Sequence, residues 1–249
     1  MKILHKILII SILLITGIGC TDLEITPRST ITSEIVFDSP SSYKAFLARV
    51  YAGLAISGQR GPSGDPDIRG IDEGFSNYLR QYWKAQELTT DEAVISWGDE
   101  GLPDYHEHDW TSANQFVTAL YNRIFYQVSI ANQYLRETTD AKLNERGVTG
   151  ELRTDIQRYR AEVRFLRALS YWHGIDLYGS IPFVTEEDAI GNVKPEQATR
   201  QEIFNYIESE LKAIEGDLAA PKQGEYGRAD QAAAWTLLAK LYLNAQVYT

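Results

Sequence analysis

The stretch RAEVRFLRALSYWHGIDLYGSIPFVTEE, residues 160–187, decides the fold. Ala161, Phe165, Ala168, Trp172 and Ile175 recur at three- and four-residue spacing, which is the period of one helix face, while Arg160, Arg164 and Arg167 form a second stripe. The spacing predicts a helix over about residues 151–178 that ends at Tyr178-Gly179, before the turn through Ile181-Pro182. The helix is repeated later in the chain. Ala161, Leu166, Ala168 and Tyr171 return as Ala232, Leu237, Ala239 and Tyr242, an offset of 71 residues. Small residues at fixed spacing let helices approach closely, and the offset is roughly twice the 34 residues of a tetratricopeptide hairpin. The competing reading is chance likeness between two alanine-rich helices. We read an all-α protein built from tetratricopeptide-like helical hairpins, an α-solenoid scaffold.

Working outward, Thr199 and Glu202 make a capping box for a helix that presents Ile203, Ile207, Leu211, Ile214 and Leu218 and ends near Gly216 to Pro221. A last helix begins near Ala229 and continues to the end. Because the chain stops at LNAQVYT (243–249) inside this pattern, we expect the first half of a longer protein. Toward the N-terminus, Phe116, Leu120, Ile124, Val128, Ala131 and Leu135 predict a helix over about 113–137, followed by a polar break, TTDAKLNERGVTG. Ser39 and Pro40 open another helix, with Tyr43, Leu47, Val50 and Leu54 on one stripe. Between these lie a glycine-rich loop, Gly58 to Gly74, a mixed segment from Tyr78 to Leu88, and a helix-poor stretch over 89–112. The glycine-rich loop lacks the Gly-Lys-Ser/Thr ending of a phosphate-binding loop.

The N-terminus has its own signature. LLITGIGCTDLE (13–24) carries the chain's one cysteine, Cys20, directly after an apolar run from Ile7 to Ile18 and a basic start at Lys2 and Lys6. The run is shorter than the roughly 20 residues a membrane-spanning helix needs and matches a secretory signal. Gly17, Ile18, Gly19 and Cys20 resemble a bacterial lipobox, which implies that residues 1–19 are removed and the Cys20 thiol carries diacylglycerol and acyl chains. Gly17 and Ile18 depart from the usual leucine and small residue of that motif. The competing reading is an ordinary secretory signal that contains a cysteine. Residues 20–39 then read as the lipidated cysteine and an extended tether, and 40–249 as the helical domain, incomplete at its C-terminus.

A formal net charge of −10 argues against a nucleic-acid surface, which needs clustered Lys and Arg, and against docking on anionic lipid. With 44% hydrophobic residues the chain has ample material for a core, and a single cysteine excludes a disulfide framework and a cysteine-based zinc site. His106 and His108 in an extended segment would place both imidazoles on one side, yet no third separated ligand is identifiable, so solvation is the better reading. Trp110 is expected to pack into the core as the next helix starts. The Arg160, Arg164 and Arg167 stripe is read as ion pairing inside the array. Glu87, Asp91, Glu92, Asp99 and Glu100 are raw material for a glycosidase pair, but no pair stands out, and no Gly-x-Ser-x-Gly or His-Glu-x-x-His is present.

LTTDEAVISWGDE, HDWTSAN, LYNRIFYQVSIANQYL, the 160–187 stretch, TRQEIFNYIESELKAI and GRADQAAAWTLLAKLYLNAQVYT, in this order behind a lipobox cysteine, closely resemble the N-terminal part of SusD/RagB-type nutrient-uptake lipoproteins. The most specific pieces are Arg160 to Ala168 leading into Leu177 to Pro182, and Gly227-Arg228-Ala229. The resemblance implies a lipid-anchored protein on the outer face of the outer membrane, with long irregular loops on its ligand side. It would capture oligosaccharides and deliver them to a SusC-like TonB-dependent transporter. Sugars are held by flat aromatic faces together with carboxylates and guanidinium forks. Trp97 is therefore the first candidate, with Asp99 and Glu100 as hydroxyl partners and Arg80 and Tyr82 as weaker ones. The alternative for Trp97 is a ring folded back over the core. No cofactor is implied beyond the lipid on Cys20. The rival classes are an envelope scaffold without glycan binding and a glycoside hydrolase.

Overall fold

The computed structural model describes residues 33–58, 66–191 and 194–249. Its helices are α1 (Ser33–Val36), α2 (Pro40–Ala52), α3 (Tyr78–Glu87), α4 (Asp104–Glu107), α5 (Gln115–Glu137), α6 (Asp140–Glu145), α7 (Gly150–Tyr178), α8 (Arg200–Ile214), α9 (Gln231–Leu243) and α10 (Ala245–Tyr248). The strands β1 (Ile181–Pro182) and β2 (Gln197–Ala198) pair antiparallel, Ile181 opposite Ala198. Helix α1 belongs to a unit of its own, and Phe37–Thr249 form the main one. The signal segment and Cys20 lie outside the described residues.

Helix α7 is the centre of the main unit, packed between α5 and α8 with α2 against its first half. Its apolar stripe is buried as the spacing predicts, with Ala161, Ala168 and Ile175 at 2% exposure or less. The arginine stripe is not an outer face. Arg167 is buried too, because neighbours surround the helix on nearly every side. Its guanidinium donates to Asn132 Oδ1 on α5 (2.6 Å), to Glu210 Oε2 on α8 (3.1 Å) and to Glu186 after β1. Arg164 forks onto Glu210 at 3.0 and 2.7 Å, and Arg160 donates to Leu135 O and Thr138 Oγ1 at the end of α5, both at 2.9 Å. Arg164 and Arg167 make the internal ion pairs expected of the stripe, whereas Arg160 meets a carbonyl and a hydroxyl instead. A buried guanidinium is tolerable when carboxylates meet its charge, as Glu186 and Glu210 do here, although Arg167 Nε has no hydrogen-bond partner.

Gly174 lies under the Ile181 side chain of β1: a Cβ there would stand 2.5 Å from Ile181 Cδ1, and that side-chain tip would have to turn aside for an alanine. The family-specific Gly227-Arg228-Ala229 segment closes on the same helix. Arg228 binds the buried Glu162 through Nε at 2.9 Å and through Nη2, and Tyr51 on α2 bridges Glu162 (2.6 Å) to the Ala229 N–H (2.8 Å). The two most specific pieces of sequence are thus one ion-paired junction.

Other elements follow their sequence signals. The apolar set Phe116, Leu120, Ile124, Val128, Ala131 and Leu135 of α5 is buried, and Asn114 caps the helix by accepting from the Phe116 and Val117 N–H groups. Thr199 and Glu202 form the capping box of α8, whose Ile203, Ile207, Leu211 and Ile214 are buried. Ser39 stands before Pro40 as expected, but its hydroxyl pairs with Ser41 and Ser42 and caps no backbone N–H.

Five expectations are corrected. The segment read as extended through residue 39 is helical at Ser33–Val36, and Phe37 is buried with its ring 5.1 Å from that of Tyr43. The mixed segment is helix α3, capped by Asn77; its inner face holds Gln81 and Lys84, which breaks the apolar pattern. The polar break contains α6, capped by Thr139 and anchored by Leu143. The last helix is interrupted at Asn244. In the internal repeat, Leu237 is buried like Leu166, yet Ala239 and Tyr242 are exposed where Ala168 and Tyr171 are not, because α9 is covered on one face only.

His173 joins α7 to α3. It is 4% exposed, its Nδ1 meets Tyr78 Oη at 2.8 Å, and the Tyr82 ring stacks on it at 4.1 Å. Burial, with a smaller contribution from Lys240, pushes its pKa down to about 3. Below pH 6.5 the unfolded chain takes a proton here that the folded chain refuses, so acidification removes stability at about 1.4 kcal/mol per pH unit. Thermal unfolding between pH 7 and about 4 should show wild type losing stability faster than His173→Gln; parallel curves would contradict this account.

Candidate functional site

Three local devices build an exposed aromatic face at the start of α3. Asp72 accepts the Gly74 N–H at 2.7 Å and starts a 3-10 turn, Glu73–Phe75, which ends on the Phe75 ring. Asn77 accepts the Arg80 N–H at 2.9 Å and starts α3, so Arg80 stands in its first turn. The third is the loop after α3, which returns over the helix and carries Trp97. That loop is held from below by buried Leu102 and by α5: Asn114 Nδ2 donates to Gly101 O (2.6 Å) and Asp104 Oδ2 (2.8 Å), and Gln115 Nε2 to Glu100 O (2.8 Å). Gly101 is needed there. Its φ is +82°, and a Cβ would lie 2.8 Å from the Asn114 side-chain nitrogen.

The Arg80 guanidinium lies 5.3 Å from the Phe75 ring centre and 5.7 Å from that of Trp97, and its Nη1 donates to Gly74 O at 3.0 Å. Trp97 is 55% exposed, so it is not folded back over the core. Asp99 and Glu100 follow it on the same exposed turn. The structure therefore brings Arg80 to Trp97, with both carboxylates beside them in the chain. Tyr82 is not brought to this face: two positions along a helix from Arg80, it turns inward onto His173.

Sequence reasoning missed Lys84, one turn beyond Arg80. It is 3% exposed, with Nζ 4.2 Å from the Phe116 ring and 5.6 Å from the Phe75 ring. Burial, then the like charge of Arg80, lower its pKa to about 8 against the opposing pull of Asp99. A lysine is normally a surface residue, and only its four-residue spacing from Arg80 hinted at a shared face. Trp83 was missed as well; it stands half exposed three residues after Arg80.

The histidines depart from their expected geometry. Residues 104–107 form helix α4, and His108 closes it with φ +58°, its Nε2 3.0 Å from Thr89 O; the imidazoles are not side by side on an extended segment. Among the described residues no group of three or more His, Cys, Asp or Glu is placed to hold a metal ion. Trp110, expected in the core, is 42% exposed against Tyr105 and His108. A polar cavity of about 580 Å³ lies elsewhere, bordered by Lys44, Asp155, Arg158, Glu162, Gln223 and Arg228. Its charges are largely matched internally, Lys44 with Glu225, Asp155 with Arg158 and Glu162 with Arg228.

Paired helices of this kind define a helical-repeat protein, and they carry an exposed aromatic and guanidinium face. The family described as "Starch-binding associating with outer membrane" matches residues 73–243. The chain belongs to this SusD-like family. It is 37% identical over 229 residues to the starch-binding protein SusD of Bacteroides thetaiotaomicron, an alignment covering 92% of this chain and 38% of that protein. It is 26% identical to SusD-like protein P25 of Formosa agariphila, over 99% of this chain and 44% of that one. The chain thus spans less than half the length of these relatives. Among solved structures, the surface glycan-binding protein A of Bacteroides fluxus superposes with a TM-score of 0.62 at 21% identity, over 84% of this chain and 40% of that one. A laminarin-binding SusD-like protein superposes with a TM-score of 0.59, also at 21% identity, over 82% and 40%. These likenesses establish the helical, tetratricopeptide-like fold.

The Lys84 environment has a pH consequence. Between pH 8 and 10.5 the unfolded chain holds a proton on this amine that the folded chain releases, so folding gains stability from Lys84 as pH rises through that window. Measured against Lys84→Met, wild-type stability should climb across the window, and a constant difference would refute the assignment.

Proposed function

We propose that this protein is a surface glycan-binding lipoprotein that captures oligosaccharides on the Trp97–Arg80 face and passes them to a SusC-like TonB-dependent transporter in the outer membrane. The observation that carries the reading is the Trp97 ring, more than half exposed and held by a guanidinium that is itself backed by Phe75. An exposed indole offers a flat apolar face to the C–H side of a sugar ring, and the remaining N–H groups of Arg80 with the carboxylates of Asp99 and Glu100 suit pairs of hydroxyls. Rigid backing reduces the ordering cost of binding. The family match to a starch-binding description and the 37% identical starch-binding relative support a glycan as the ligand class.

The site binds without turnover. Its chemistry is stacking and hydroxyl pairing, and the family's description is one of binding. The outer-membrane association in that description supports reading Cys20 as the lipid anchor, with the helical domain facing the cell exterior.

The first test runs the full-length mature protein, produced from Thr21 without lipid, through gels containing soluble starch, laminarin or other neutral glycans. One glycan class should retard wild type, with affinity falling about tenfold in Trp97→Ala and in Arg80→Ala. No retardation by any glycan from a folded protein would favour an envelope scaffold, and release of reducing ends would favour a hydrolase. The anchor is tested separately by growth with labelled palmitate. Wild type should incorporate label and partition into detergent, and Cys20→Ser should do neither; label retained in the variant would remove Cys20 as the lipidation site.

A further inference from the structure

We propose that Arg123 on α5 is a positioning residue for glycan capture, acting through Ser76 and Phe75 on Arg80 and Trp97. The inference rests on the binding role proposed for that face. The Arg123 side chain is fully buried. It nevertheless makes four hydrogen bonds to the segment between α2 and α3: Nε to Ser76 O (2.5 Å), Nη2 to Ser76 Oγ (2.9 Å) and Ser57 O (2.7 Å), and Nη1 to Asp67 Oδ2 (3.2 Å). Asp67 is locked in turn by Arg49 Nη2 at 3.1 and 3.2 Å and by the Tyr126 hydroxyl at 3.0 Å. One guanidinium therefore gathers the departure point of the segment, a carboxylate within it and its return point.

The return point is where function enters. Ser76 lies between Phe75, the ring behind the Arg80 guanidinium, and Asn77, the cap that starts α3. A shift of Ser76 moves both supports of Arg80 together, and through Arg80 the orientation of Trp97. The requirement is for arginine specifically. A planar fork reaches two backbone carbonyls and a carboxylate in different directions, whereas a lysine ammonium concentrates its donors at one point. The other buried arginine cluster, Arg164 and Arg167 with Glu210, joins α7 to α8 and makes none of these contacts.

The test compares full-length mature wild type with Arg123→Lys, Asp67→Asn and Ser76→Ala, using Arg164→Lys as a control that loosens the core elsewhere. Two quantities are read below the melting transition: affinity for the glycan that retards wild type, and the ¹⁹F resonance of Trp97 in 5-fluorotryptophan-labelled protein, assigned with Trp97→Phe. Arg123→Lys should lose about tenfold in affinity and shift or broaden the Trp97 resonance, while Arg164→Lys changes neither, even where it lowers the melting temperature. A folded Arg123→Lys with wild-type affinity and an unmoved resonance would overturn the proposal. Should Arg123→Lys not fold, Asp67→Asn and Ser76→Ala decide by the same two readouts. If wild type binds no glycan, the capture role fails, and the fluorine resonance alone then decides positioning: movement supports it and constancy overturns it.

Discussion

Arg167 is the constraint from which the rest of the architecture follows. A guanidinium with 2% of its side chain exposed must find its partners inside the protein, and it finds them on three separate elements: Asn132 of α5, Glu210 of α8 and Glu186 of the connection after β1. Breaking a buried ion pair by removing one partner costs about 3–5 kcal/mol, and here two carboxylates and an amide share the one charge. The helices around α7 are consequently interdependent. The Glu162–Arg228–Tyr51 junction extends the same logic to α2 and the approach to α9, so the family-specific residues are the ones that tell distant segments where to meet.

A core of this kind leaves the Trp97–Arg80 face to short segments that have little packing of their own. Their order is borrowed from the helices. Arg123 reaches out of α5 to the segment before α3, Asn114 and Gln115 at the head of α5 hold the loop that bears Trp97, and Asn77 aims the first turn of α3. The contacts from Arg123, Asn114 and Gln115 use side chains at a buried helix to satisfy carbonyls in the neighbouring segments, and Asn77 satisfies an amide of α3, which fixes backbone positions while the aromatic face stays open to solvent. Binding surfaces supported in this way need little reordering when a ligand arrives.

What was legible follows from how strongly each feature repeats. The apolar spacing of α5 and the capping box of α8 involve many residues with one consistent period, and both were read correctly. Helix α3 was not, because Gln81 and Lys84 occupy its buried face and interrupt the pattern with residues that normally sit in water. The same burial explains why Lys84 escaped notice beside Arg80. The geometry around His106 and His108 and the exposure of Trp110 differ from expectation for a local reason. A four-residue helix and one left-handed residue at His108 redirect the side chains, and neither leaves a periodic trace in the sequence.

The sequence by itself determined the helical class, the main helix stripes, the family resemblance and Trp97 with Arg80 as candidates, because periodicity, capping chemistry and rare residue combinations are local properties that survive without coordinates. Only the tertiary structure decided that Arg80 meets Trp97 while Tyr82 turns to His173, which carboxylates the arginines of α7 pair with, and that Arg123 ties Ser57, Asp67 and Ser76 together. Those facts depend on which segments pack against each other across separations that run from 17 residues for Arg80 and Trp97 to 91 for Tyr82 and His173. Such meetings are fixed by burial and charge pairing among all the elements at once, and no window of sequence contains them.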